Sequence, residues 1–141
     1  MGYRSEVGYV IRFASKEDLD TFIGVQVVKK DETVTSALKE LALIESTQTE
    51  QYLYFYASDV KWYSDYPDVK VHHDFMHSAV EMFEDSAWLF LRCGEQYDDV
   101  EEESGGDDGW DLQEFISICR PTINIDVGNT KPILTEEGEL V

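Results

Sequence analysis

The sequence has few cysteines, few prolines and no long apolar run. It contains 2 cysteines and 3 prolines in 141 residues, which argues against a disulfide-stapled domain and against a proline-rich extended protein. No segment reaches the roughly 18 to 20 apolar residues that a membrane-spanning helix needs, and no apolar secretion signal follows the N-terminus. We therefore expect a soluble cytoplasmic protein with no membrane association, in which Cys93 and Cys119 are free thiols.

Basic residues are also scarce. The chain has 11 Lys and Arg and 30 Asp and Glu, which gives a formal net charge of −19. Such a field repels nucleic acid and anionic membranes, so direct binding to either is not expected, and the natural partners are basic surfaces or metal cations. Apolar residues make up 43% of the chain and aromatic residues 13%, too many for a disordered acidic protein. We expect one folded domain over residues 1–127 and a mobile tail over residues 128–141.

Apolar spacing predicts the order of the elements. Residues 6–13 alternate like a half-buried strand, and Ser15 precedes a helical pattern over residues 16–28. Residues 34–43 fit a helix, although their β-branched start and apolar end also fit a strand. Further segments are predicted as a strand at 51–57, a helix at 68–84, a strand apolar on both faces at 87–93, and a fourth strand at 114–119 and 122–127 with a break at Pro121. The fold class is therefore α+β: a two-layer sandwich of a roughly four-stranded mixed or antiparallel sheet with two to three helices on one face.

The stretch between the last two predicted strands contains acids and no Lys or Arg. On the predicted map it is a hairpin loop over residues 94–114, far longer than the two to five residues usual for hairpins. Its ten carboxylates are Glu95, Asp98, Asp99, Glu101, Glu102, Glu103, Asp107, Asp108, Asp111 and Glu114. If both arms of such a hairpin were extended, these would give one charge per about 3.3 Å, approaching half the density of duplex DNA at one per about 1.7 Å.

Three functions fit this stretch: a solvating loop, a cation site, and a docking surface that copies nucleic-acid charge. An EF-hand register fails, because aligning Gly109 with the invariant glycine places Ser104 and Gly106 at ligand positions. Embedded aromatic residues favour docking, since a purely solvating loop has no need of them. The predicted partner-binding residues are Glu95, Tyr97, Asp98, Asp99, Glu101, Glu102, Glu103, Asp107, Asp108, Trp110 and Asp111.

A second set of candidates concerns metal binding. His73, His77 and Glu81 lie one turn apart on a predicted helix, and His73-Asp74 with His77 is close to a zinc metalloprotease pattern. The metalloprotease pattern also needs a ligand from a distant part of the chain, and none is evident, so His73, His77 and Glu81 are weak candidates for zinc. The acidic stretch is a weak candidate for calcium. Trp62, in the connector before this helix, is expected to close the core. The sequence offers no nucleophile motif and no phosphate-binding loop, and we expect neither a catalytic residue nor a cofactor.

Three segments resemble a family of small acidic proteins encoded by tailed bacteriophages and prophages. They are "GYRSEV" at residues 2–7, "VKWYSDYPDV" at 60–69 and "LRCGEQYDDVEEE" at 91–103. The resemblance implies an α+β fold and the cytoplasm of an infected bacterial host, and it implies no settled activity.

Together these observations predict a non-enzymatic phage protein. It would inhibit or modulate a host nucleic-acid-handling or defence protein by presenting a DNA-mimicking acidic surface to a basic one. The alternatives are a zinc- or calcium-binding protein, and an accessory phage protein whose acidic loop only aids solubility.

Overall fold

The computed structural model describes residues 2–45, 49–119 and 122–134 of the chain. Within these ranges it contains eight strands, three α-helices and one 3-10 helix. In chain order they are β1 Ser5–Phe13, α1 Lys16–Val28, α2 Glu32–Lys39, β2 Ala42–Ile44, β3 Gln51–Val60, α3 Pro67–Met82, β4 Ala87–Gly94, β5 Val100–Gly106, the 3-10 helix Gly109–Glu114, β6 Ile116–Cys119, β7 Thr122–Ile125 and β8 Thr130–Pro132.

Six of these strands form one sheet in the order β5-β4-β1-β3-β2-β8, and every pairing in it is antiparallel. The predicted α+β class is confirmed, although the sheet has six strands where about four were expected. The strand predicted to be apolar on both faces is β4, and it lies inside the sheet between β5 and β1. A strand buried on both faces needs cover on both, which explains its unbroken apolar run.

The first face of the sheet packs against the helices. Alternate residues of β1, from Val7 to Phe13, enter this core with Phe55 of β3 and Phe90 of β4. The helices contribute apolar stripes that include Phe22 and Phe75. This arrangement follows directly from the two-residue period of the strand and the 3.6-residue period of the helices.

The opposite face carries a second, smaller core. Here Val10, Leu89 and Leu91 of the sheet meet Ile116 and Ile123. Strands β6 and β7 supply the latter two residues as a separate antiparallel hairpin. The prediction of one fourth strand through residues 114–127 is therefore wrong, because its two apolar segments pair with each other. The expected break at Pro121 lies outside the described residues.

Helix boundaries follow their caps. Helix α1 has the predicted bounds, and the Ser15 side chain accepts a hydrogen bond from the Asp18 backbone N at 3.2 Å. Helix α2 begins before its predicted start, because Asp31 accepts from the backbone N of Thr33 and Val34. It also ends early, and the segment after it pairs with β3 as β2. None of the described helices is both long enough and apolar enough to cross a membrane.

The sequence prediction starts the mobile tail at residue 128, which is too early, because residues 130–134 are part of the fold. Residues Thr130–Pro132 form β8 on the free edge of β2, and Ile133 and Leu134 are buried in the first core. The unpaired edge of β2 supplies the backbone partners that the tail lacks by itself. Residues 135–141 lie outside the described part of the chain.

The β6–β7 hairpin is attached to the main sheet through Glu6. The β1–β3 register shifts at this residue, and its carboxylate accepts hydrogen bonds from Tyr56 OH, from Thr122 Oγ1 at 2.9 Å and from the Ile123 backbone N at 2.7 Å. Burial and the neighbouring carboxylate together raise the pKa of Tyr56 to about 12. One carboxylate therefore joins three segments that are distant in sequence.

Replacing Glu6 should loosen this attachment. We expect Glu6→Ala to lower the free energy of unfolding by about 2 kcal/mol, because the half-buried donors lose a charged acceptor. Glu6→Gln keeps one acceptor oxygen and should lose about half as much. Urea denaturation of both variants measures the difference. Equal stability of the alanine and glutamine variants would contradict the role of this carboxylate.

Candidate functional site

The acidic stretch forms ordered structure in place of the predicted hairpin loop. The chain turns after β4, returns as β5 and then enters the 3-10 helix. Strand β5 pairs with β4 over its whole length, from Cys93 opposite Val100 to Ala87 opposite Gly106. The loop prediction is wrong because a long apolar strand with an open edge offers ladder partners even to residues of low β propensity. We call residues 95–114 the acidic edge.

Local features explain why the acidic edge is ordered. The turn closes through hydrogen bonds from the Gly94 N to the Asp99 O at 2.8 Å and from the Asp99 N to the Gln96 O at 3.0 Å. At the other end of β5, Gly105 packs against Trp88 so closely that no side chain would fit. A Cβ on Gly105 would lie 2.4 Å from Trp88 Nε1. The charges of β5 also suit a strand at the margin of a sheet, where like charges oppose pairing with a second copy.

Alternation along β5 divides its acids between the two faces of the sheet. Glu101 and Glu103 stand opposite Arg92 and Phe90, on the side of the helices. Glu102 stands opposite Leu91, on the side of the second core. The sequence prediction treated these three acids as equivalent, and the strand separates them.

Arg92 neutralises part of the acidic edge. Its Nη2 lies 2.6 Å from Asp99 Oδ1 and its Nε lies 2.6 Å from Glu101 Oε1. The arginine side chain is 12% exposed, and its Nη1 also donates to Ser5 Oγ at 3.0 Å. Tyr3 OH donates to Asp99 Oδ2 at 2.6 Å. Hydrogen bonds from Arg92 and then from Tyr3 hold the pKa of Asp99 below its usual range, so this carboxyl stays ionised at neutral pH.

The other acids of the stretch remain available. Of the ten carboxylates between Gly94 and Glu114, the two beside Arg92 form ion pairs, which leaves eight that form none with the described residues. All eight are exposed, and they are Glu95, Asp98, Glu102, Glu103, Asp107, Asp108, Asp111 and Glu114. The fold thus presents a negative surface that its own described cations do not compensate.

Two large aromatic side chains stand among these charges. Tyr97 in the turn is 69% exposed, and Trp110 in the 3-10 helix is 47% exposed. Leu112, two residues after Trp110, is buried in the second core and fixes the 3-10 helix against the sheet. The predicted anchors therefore lie on the surface, at the two ends of the acidic edge.

The charge spacing differs from the sequence expectation. The expected hairpin carried acids on two arms, whereas here one arm is the apolar strand β4. The seven residues of β5 extend about 23 Å and include three acids, one per about 8 Å. Duplex DNA has one charge per about 1.7 Å. The acidic edge is consequently a strongly negative surface, but β5 alone does not reproduce the linear charge density of a duplex.

The weak metal candidates do not assemble into a site. The His73 ring packs 5.1 Å from the Phe90 ring, and the His77 ring packs 5.2 Å from the Trp88 ring, measured between centroids. Burial lowers the pKa of His73, which keeps its imidazole neutral at neutral pH. Glu81 is exposed on α3. Within residues 2–45, 49–119 and 122–134 no three His, Cys, Asp or Glu side chains lie close enough to hold a metal ion.

A cleft beside Arg92 was not anticipated. It has a volume of about 340 Å³, and its walls include Tyr3, Trp62, Tyr63, His73, Arg92 and Glu101. The Trp62 ring packs on the first core, as expected, with its centroid 5.8 Å from that of Phe55. Only the fold shows that Trp62 also lines a cavity, since the walls come from the N-terminus, the connector before α3, α3 itself and β4–β5.

Comparison with known proteins adds no further assignment. No protein-family model, curated protein or solved structure matches this chain. The resemblance to bacteriophage proteins thus stays a prediction from three sequence segments.

Proposed function

We propose that this protein is a non-enzymatic binding protein whose acidic edge docks on a basic surface of another protein. The observation that carries the proposal is an ordered sheet margin with eight exposed carboxylates that no described cation pairs. Tyr97 and Trp110 provide exposed aromatic anchors at its two ends. Charges fixed on a strand and a 3-10 helix lose less entropy on binding than charges on a loop.

The partner class follows from the same chemistry. A basic surface large enough to accept this margin is typical of a protein that handles nucleic acid. Together with the bacteriophage resemblance, this favours a host nucleic-acid-handling or defence protein that the chain inhibits or modulates in the cytoplasm of an infected bacterium. The linear charge density along β5 is low compared with duplex DNA. It therefore favours attraction to such a basic surface over close replication of duplex geometry.

Capture from host lysate tests the proposal with two variants of equal net charge. The edge variant changes to amides five acids that pair with no described cation, at Glu95, Asp98, Glu102, Asp108 and Asp111. The matched control changes five exposed acids elsewhere, at Glu17, Glu32, Glu45, Glu84 and Asp126. We expect the edge variant to bind its captured partner about tenfold more weakly at low salt, since each charge contributes about 0.3 kcal/mol, and the control to stay within about twofold of the wild type.

Two further measurements sharpen the result. Binding should weaken steeply as salt rises, and excess duplex DNA should displace this protein if both occupy one basic surface. Equal capture by the edge variant and the control would contradict the docking role and favour an acidic edge that only aids solubility. If DNA does not displace the captured protein, docking through the acidic edge would stand, but competition with nucleic acid for one basic surface would be contradicted.

A further inference from the structure

The cleft beside Arg92 has the composition of a binding site. Three aromatic residues, Tyr3, Trp62 and Tyr63, line its wall, and Arg92, Asp99 and Glu101 contribute charged groups. Its volume of about 340 Å³ matches small-ligand sites, which begin near 300 Å³. Several polar contacts hold these walls in place, including a hydrogen bond from the Tyr3 backbone N to Tyr63 OH at 2.7 Å. The cleft is therefore a preformed cavity.

Its charge favours a cation. The lining contains one guanidinium, Arg92, and two carboxylates, Asp99 and Glu101, which leaves an excess of one negative charge. The guanidinium is already directed into these carboxylates, at 2.6 Å from each. Glu101 Oε1 takes the arginine Nε–H, while no described donor contacts Glu101 Oε2. The neutral imidazole of His73 adds no opposing positive charge.

The cleft wall also contains an unmet hydrogen-bond donor. Trp62 Nε1 is buried and has no acceptor among the described residues. Buried polar groups in folded proteins almost always have partners, and an unpaired one costs free energy. This N–H has almost no accessible surface, so a ligand in the cleft meets the indole ring of Trp62 and not its N–H. The ring of Trp62, with those of Tyr3 and Tyr63, offers flat surfaces on which a planar cation can stack.

We propose that this cleft binds an arginine residue of the partner. Its guanidinium would lie at Glu101 Oε2 and stack on the aromatic wall of the cleft. The inference rests on the proposed function, because the arginine belongs to the basic surface on which the acidic edge docks. Arginine fits better than lysine, since a planar guanidinium stacks on aromatic rings and is weakly hydrated. The cleft adds one specific pocket to an otherwise diffuse electrostatic attraction.

Titration with N-acetyl-arginine-N′-methylamide, followed by the indole N–H resonances in ¹⁵N NMR spectra, tests this site without the partner. Trp62→Phe identifies its resonance. We expect a saturable shift of the Trp62 signal at millimolar probe and little shift with the matched citrulline amide, which lacks the charge. Glu101→Gln should weaken probe binding about fivefold. Glu17→Gln is the matched control, because it removes the same charge from an exposed position on α1, outside the acidic edge, and should leave probe binding unchanged.

Each alternative outcome has a clear meaning. A Trp62 signal that does not move, with shifts confined to the acidic edge, overturns the cleft as an arginine site and leaves the docking proposal standing. Equal shifts with arginine and citrulline amides overturn the cationic assignment. Probe binding at Trp62 together with failure of the capture experiment supports the cleft and removes the proposed function.

Discussion

Gly106→Ala is expected to lower the free energy of unfolding by about 3 kcal/mol and the melting temperature by about 10 °C. Gly106 has a φ of +81°, and a Cβ there would lie 2.2 Å from the Ser86 backbone O and 2.8 Å from the Ala87 Cα. The backbone conformation alone costs an alanine about 1 to 2 kcal/mol, and the contact with main-chain atoms adds to it. The chain turns here from β5 towards the 3-10 helix, so the change should also displace part of the acidic edge.

Gly128→Ala provides the control for this prediction. Gly128 also has a positive φ, +63°, but a Cβ there would have no described atom within 4 Å outside its own chain neighbours. Gly128→Ala should lower the free energy of unfolding only through the unfavourable backbone conformation, by about 1 kcal/mol. Thermal and urea denaturation of both variants would measure the difference. Similar losses at the two positions would show that close packing against Ser86 and Ala87 contributes nothing.

Arg92→Met is expected to lower stability by about 2 kcal/mol at neutral pH. The change leaves Asp99 and Glu101 without their cation and Ser5 Oγ without its donor. Loss of one partner from a buried ion pair costs about 3 to 5 kcal/mol, and the value here is smaller because Asp99 and Glu101 are 32% and 45% exposed. Methionine preserves much of the length of the side chain, so loss of packing contributes little.

The pH dependence of this effect distinguishes lost charge from lost packing. Asp99 has a folded pKa below its unfolded value, chiefly because Arg92 donates to it. Its stabilising contribution is therefore fully present above the unfolded pKa of about 3.9 and is lost as pH falls through the folded pKa. The stability difference between wild type and Arg92→Met should be greatest near neutral pH and shrink below about pH 4. A difference that is constant with pH would point to packing.

Lys16→Met serves as the matched control. Lys16 Nζ lies 3.1 Å from Asp20 Oδ2, but both side chains are mostly exposed, at 76% and 60%. Surface pairs of this kind contribute less than about 1 kcal/mol. Urea denaturation of Lys16→Met should place it within about 0.5 kcal/mol of wild type. A loss as large as that of Arg92→Met would contradict the special position of the buried guanidinium.

Local sequence was sufficient where one segment decides its own structure. Helix α1 has its predicted bounds because Ser15 supplies a cap and the apolar residues follow at helical spacing. The interior position of β4 follows from its apolar residues on both faces. The same reasoning failed at residues 42–44, where a short apolar segment fits either a helix end or a strand and only pairing with β3 selects the strand.

The candidate site shows the same division. Local sequence identified the acidic stretch and the two aromatic residues within it, Tyr97 and Trp110, which the structure shows to be exposed. It did not identify Arg92 as the cation that forms ion pairs with Asp99 and Glu101. Nor did it identify Tyr3, distant in sequence, as a hydrogen-bond donor to Asp99. The signal available was weak: a single Arg in an otherwise apolar strand, seven residues before Asp99. The walls of the cleft lie up to 98 positions apart in sequence, between Tyr3 and Glu101, and no local pattern connects them.

The sequence by itself determined an α+β domain with a strongly negative field and an acidic segment that has no basic residue. The tertiary structure decided that this segment is a strand at the sheet margin and that a second hairpin covers the opposite face. It also decided which eight acids form no ion pair with the described residues. The physical reason is that β pairing and ion pairing depend on partners distant in the chain. Residues such as Glu101 and Gly105 have low β propensity, and the ladder with an apolar neighbouring strand overrides that local preference.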